Sequence, residues 1–179
     1  MRWIAAFALT LLLCACGEGE EAAPRTVAPP PDCPEGTPLL KARDVVGPDP
    51  RGYALVPVKE DKEVEAFVGR IERGAGEGFR SYDAAALIDR SKMDGTAVVV
   101  LNTDEGRPED VVTGALEAER EEGVEGEPIV IDGRDGRLQR ATDGSFIATA
   151  PAGKCAMVIL IGLEKPLVRE AAAVIGSRG

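Results

Sequence analysis

The sequence predicts an α+β domain, a mainly antiparallel sheet with two or three helices packed on one face. Three observations carry that reading. The turn dipeptides Asp94-Gly95, Asp132-Gly133 and Asp143-Gly144 fall between short runs rich in apolar and β-branched residues, as in hairpin-linked strands. Other stretches instead repeat their apolar residues at three- and four-residue spacing, the mark of a helix lying on a core. The segment Ala156 to Ile161 is almost wholly apolar, which suits a strand through the centre of the sheet.

In chain order, the domain is expected to begin near Leu39. Tyr53 to Val58 reads as a strand, and Pro57 hints at an edge position because it cannot donate to a neighbour. Asp61 offers an N-cap to a helix from Lys62 to Arg73, whose Val64, Phe67, Val68 and Ile71 share one face; Gly74, Gly76 and Gly78 end it. Phe79 to Ile88 mixes helical and strand signals, but the Asp94-Gly95 turn and the strand Ala97 to Leu101 favour an antiparallel partner there. Pro108 suits the first turn of a second helix, Glu109 to Glu121, closed by Gly123. Strands follow at Pro128 to Ile131, Arg137 to Ala141, Phe146 to Ala150 and Cys155 to Leu163, with a further turn at Ala152-Gly153. Pro166 then opens a final helix through Ile175.

The N-terminus has a different character. Arg2 precedes an apolar run from Trp3 to Leu13, which ends in Leu11-Leu12-Leu13-Cys14-Ala15-Cys16. A basic start, an apolar core and small residues before a cysteine are the three regions of an export signal. This segment resembles the signal of bacterial lipoproteins, in which an aliphatic residue and two small residues precede an invariant cysteine: Leu13, Cys14, Ala15 and Cys16 here. The resemblance covers residues 1 to 16 alone. It implies removal of residues 1 to 15, acylation of Cys16 and a domain held outside the cell membrane by lipid. Secretory cleavage without lipid, cleavage at Cys14, and retention as an apolar N-terminal helix are the competing readings. A spanning helix needs about 20 apolar residues, and Gly17, Glu18, Glu20 and Glu21 interrupt this run at about half that length.

From Cys16 to about Pro38 the chain is rich in Gly, Glu, Ala and Pro, with Ala28-Pro29-Pro30-Pro31 and no apolar period. Such a segment cannot bury enough surface to offset its ordering entropy, and it reads as a semi-extended tether. Residues 39 to 179 then form one domain, the size at which a single core suffices.

Composition narrows the function. The chain has 21 Lys and Arg against 31 Asp and Glu, so nucleic acid, which demands a basic patch, is a poor partner. There is no histidine, which removes the commonest general base and metal ligand together. Beyond the signal the aromatic residues are Phe67, Phe79, Phe146, Tyr53 and Tyr82, few platforms for sugars or bases to stack on. With Cys14 discarded and Cys16 acylated, Cys33 and Cys155 remain. In an oxidising compartment a leftover pair is most simply a disulfide; free thiols, or one cysteine acting as a small apolar residue, are the alternatives.

No catalytic motif emerges. Ser81, Ser91, Ser145 and Ser177 lie outside any Gly-x-Ser-x-Gly turn. The glycines at 74, 76 and 78 follow a helix, the reverse of a phosphate loop. The turns Asn102-Thr103-Asp104-Glu105 and Asp132-Gly133-Arg134-Asp135 hold oxygen donors, but not in the alternating spacing of a calcium loop. The acidic run Glu117 to Glu127 reads as a solvated helix face. The resulting expectation is a membrane-anchored, non-enzymatic binding or interaction domain without cofactor or metal, its partner an envelope protein or a small ligand. A hydrophobic-ligand carrier and a carboxylate- or metal-using envelope enzyme are the alternatives.

Overall fold

The computed structural model describes residues 33–176 apart from 35, 49, 51, 60, 76–77, 105–107 and 109–125. The signal, Cys16, most of the tether and the helix expected at Glu109 to Glu121 lie outside the described residues. Within them the chain forms a short helix α1 (Ala42–Val46), strand β1 (Tyr53–Pro57), helix α2 (Lys62–Ala75), strands β2 (Phe79–Asp89), β3 (Gly95–Thr103), β4 (Glu127–Ile131), β5 (Arg134–Arg140), β6 (Phe146–Pro151) and β7 (Ala156–Gly162), and helix α3 (Lys165–Gly176).

The seven strands make one antiparallel sheet in the order β1-β2-β3-β7-β6-β5-β4. Two meanders build it. The first runs inward from β1 to β3; the second starts at the opposite edge with β4 and returns to pair β7 with β3. Turn chemistry sets the hairpins. Asp132 and Gly133 have φ of 52° and 69°, the left-handed pair that a two-residue type I′ connection requires. At the next turn Gly144 has φ 88° and its N–H donates to the Ala141 carbonyl.

The β2–β3 connection differs from the expected Asp94-Gly95 turn. Gly95 already belongs to β3, and the chain reverses through residues 90–94, with Met93 at φ 60°. The cause is Asp89, whose Oδ1 accepts bonds from the Ser91 N–H and hydroxyl, both at 2.7 Å, and from the Lys92 N–H. These bonds hold a wider, helix-like turn and move the reversal upstream.

The α+β class is as the sequence predicts, but the helices do not share one face. Val98, Val100, Val158 and Leu160 meet α1 and α3 on one side, together with Ala171, Ala172 and Ile175. Val99, Leu101, Met157 and Ile159, the alternate residues of the same strands, meet Phe67, Val68 and Ile71 of α2 on the other. Successive strand residues point to opposite faces, so the unbroken apolar runs of β3 and β7 create two apolar faces, and each needs cover.

Short as it is, α1 is tied down firmly. Its Ala42 N–H donates to Asp83 Oδ2 at 2.8 Å, and just before it the backbone of Leu40 both donates to and accepts from the buried Asn102 side chain, at 2.9 and 3.0 Å. Upstream, the Cys33 N–H donates to the Asp104 carbonyl, and Cys33 is disulfide-bonded to Cys155 across 122 residues of sequence. Residues 33 and 37–46 are thereby laid against the end of the sheet where β3 finishes and β7 begins.

Two stability outcomes follow from this packing. A Cβ at Gly136 would stand 2.2 Å from the Thr149 carbonyl oxygen, a backbone atom that cannot swing aside; Gly136→Ala is expected to cost about 1–3 kcal/mol in urea denaturation, as overpacked sites do. Replacing Cys33 and Cys155 together by Ser should remove about 2–5 kcal/mol, read from the same transition.

Candidate functional site

Helix α2 starts where the sequence places its cap: Asp61 Oδ1 accepts the Glu63 and Val64 N–H groups at 2.9 and 3.1 Å. Its apolar stripe covers the half of the sheet face toward the start of β2, where Ala84, Val99 and Ile159 are buried. At the other end of the same face the rows are only half covered. Ala86 lies opposite Ala97, and Ala97 opposite Ile161, and all three keep partial exposure.

The small residues Ala86, Gly95 and Ala97 lower the floor there. The result is a half-open cleft of about 700 Å³ between the N-terminal half of α2 and the sheet, within the size range of small-molecule sites. Val64 and Phe67 form its roof side and Ile147 and Ile161 its floor, while Ala141, Asp143 and Ser145 close one flank from the β5–β6 turn. Leu163, at the mouth, is 83% exposed, the most of any large apolar side chain among the described residues.

The charged groups stand at the rim. Asp61 and Glu63 lie at the α2 start, Asp143 on the opposite wall, and Arg70 one turn past Phe67, its guanidinium carbon 5.8 Å from the Phe67 ring centre. Asp143 Oδ1 accepts the Ser145 hydroxyl at 2.7 Å and the Ser145 N–H at 2.9 Å. Those two bonds hold the Asp143 carboxyl below its ordinary pKa, and the charge of Arg70 adds to the effect. This direction is opposite to the one a general acid at neutral pH needs.

The residues singled out from sequence fall elsewhere. Cys16 is outside the described residues, and the Cys33–Cys155 bond sits at the end of the sheet away from the cleft, about 25 Å along β3 at strand rise. Of the two acidic turns, Asn102 gives its amide to Leu40 and Asp104 lies 3.6 Å from Arg80, while Asp132-Gly133 forms the tight hairpin turn; Glu105 lies outside the described residues. Ser91 and Ser145 both give their hydroxyls to neighbouring aspartates within turns. Among the described residues no group of three or more acidic or cysteine side chains is arranged to hold a metal, and no helix is long and apolar enough to cross a membrane.

The cleft itself is not legible in the local sequence pattern. Its only trace in the sequence is a scatter of small residues, at 86, 95 and 97, which become neighbours only once the strand register is known. Comparisons with protein-family models, curated proteins and solved structures give no match to this chain.

The bonds at Asp143 imply a pH dependence. Its folded pKa lies below the unfolded value, so its contribution is fully present above the ordinary carboxylate range and is lost as pH falls through the folded value. Asp89, held down by the Ser91 bonds, and Glu127, held down by bonds from Lys165 and Arg169, act in the same sense. Thermal melts between pH 7 and pH 2 should show the midpoint falling on the acid side, and the fall should be shallower in Asp143→Asn than in the parent chain.

Proposed function

We propose that this chain is an exported protein of the bacterial cell envelope, anchored to the membrane by lipid on Cys16, whose domain is a non-enzymatic binding module and whose binding surface is the cleft beside α2. The observation that carries the binding role is the cleft: an apolar floor of ligand size, charges confined to its rim, and an almost bare leucine at its mouth. The address rests on the lipoprotein-like run Leu11 to Cys16. The pairing of Cys33 with Cys155 fits an oxidising compartment.

A carrier that encloses a hydrophobic ligand is the second reading. The apolar floor favours it; the open mouth favours a module that presents its ligand or partner to the surroundings. In either case the cleft opens at the end of the sheet remote from Cys33.

The address is tested by the intact mass of protein extracted from membranes. The expected species lacks residues 1 to 15, carries acyl chains on Cys16 and shows no free thiol without reductant. Recovery of a soluble chain still bearing Met1 overturns the reading.

A further inference from the structure

We infer that the ligand of the cleft is a small organic cation with an apolar body, of the alkyl- or aryl-ammonium class. The inference rests on the cleft being the binding surface and adds the chemistry of what enters it. The apolar part follows from the floor, where the half-buried Ala86, Ala97 and Ile161 and the exposed Leu163 offer contact area with no polar side-chain group to satisfy. The charge follows from the rim. Among the described residues lining the cleft, the acids Asp61, Glu63 and Asp143 face the single base Arg70.

An anionic head would meet this rim with the wrong sign. It could approach Arg70, but the Asp143 carboxylate senses the same guanidinium, and the remaining two carboxylates repel it. A cationic head sees an excess of negative charge at the entrance of a recess whose walls exclude part of the solvent, where charge pairs are worth more than in bulk water. The phenyl or alkyl body then lies on the small-residue floor. Phe67, whose ring also carries Arg70 at 5.8 Å, supplies an aromatic wall.

The test uses three probes with one body: 4-phenylbutylamine, 4-phenylbutanol and 4-phenylbutyrate, titrated into the full processed chain at low salt and followed by two-dimensional NMR. The amine is expected to move the resonances of Ala97, Ile161 and Leu163 and to bind at least about tenfold tighter than the carboxylate, with the alcohol between them. The double variant Glu63→Gln and Asp143→Asn, which keeps the acceptor for Ser145, should erase the preference for the amine and leave alcohol binding in place. Equal or tighter binding of the carboxylate, or a preference that survives the double variant, overturns the charge assignment while the cleft stands as a binding surface. If none of the three moves those resonances, the cleft reading itself fails, and the lipid address is unaffected.

Discussion

Everything in this structure depends on the pairing of β3 with β7. Val98 to Leu101 of β3 have no exposed surface, and Ile159 and Leu160 of β7 have none either. These two strands come from different meanders and are joined over six consecutive partners, Ala97 with Ile161 through Asn102 with Ala156. Remove the pairing and each meander is a small sheet with two bare apolar faces. With it, Val98 to Leu101 and Met157 to Leu160 are covered by a helix on one face or the other, and burial at roughly 25 cal/mol per Å² turns a backbone ladder into the core of the domain.

Helices on both faces are thus a consequence of the seam, and the sequence held the signal. A strand that is half exposed alternates; Ala97 to Leu101 and Ala156 to Ile161 do not. Much else was also legible from local chemistry: Asp61 caps α2 as its side chain allows, Asp132-Gly133 supplies two left-handed residues for a two-residue hairpin, and Pro57 lies on an edge strand. The Cys33–Cys155 pair could be named because two cysteines were left once the N-terminal ones were assigned.

What could not be read was whatever depends on contacts distant in sequence. Helix α1 is five residues long, too short to show a period, and it exists because Asn102 and Asp83 receive its backbone from about 60 and 40 positions away. The β2–β3 reversal lies upstream of Asp94-Gly95 because the preference of that dipeptide is outweighed by three bonds to one carboxylate at Asp89. The cleft needs the register of β2, β3 and β7 before Ala86, Ala97 and Ile161 line up. Its polar rim joins the α2 start to the β5–β6 turn, which lie about 80 residues apart.

The disulfide also decides how the domain carries a mechanical load. A pull applied to the chain ahead of residue 33 passes through the Sγ–Sγ bond into Cys155, one residue before the seam strand β7. The segment from 34 to 154, including the edge strand β1 and both outer strands of the second meander, lies inside the covalent loop and is bypassed by that force. Edge strands unzip one hydrogen bond at a time under tension, whereas a strand flanked on both sides must slide against two neighbours together. A tether ending at Cys33 therefore hangs the domain from its most resistant element, and the peripheral parts can fluctuate without loosening the suspension.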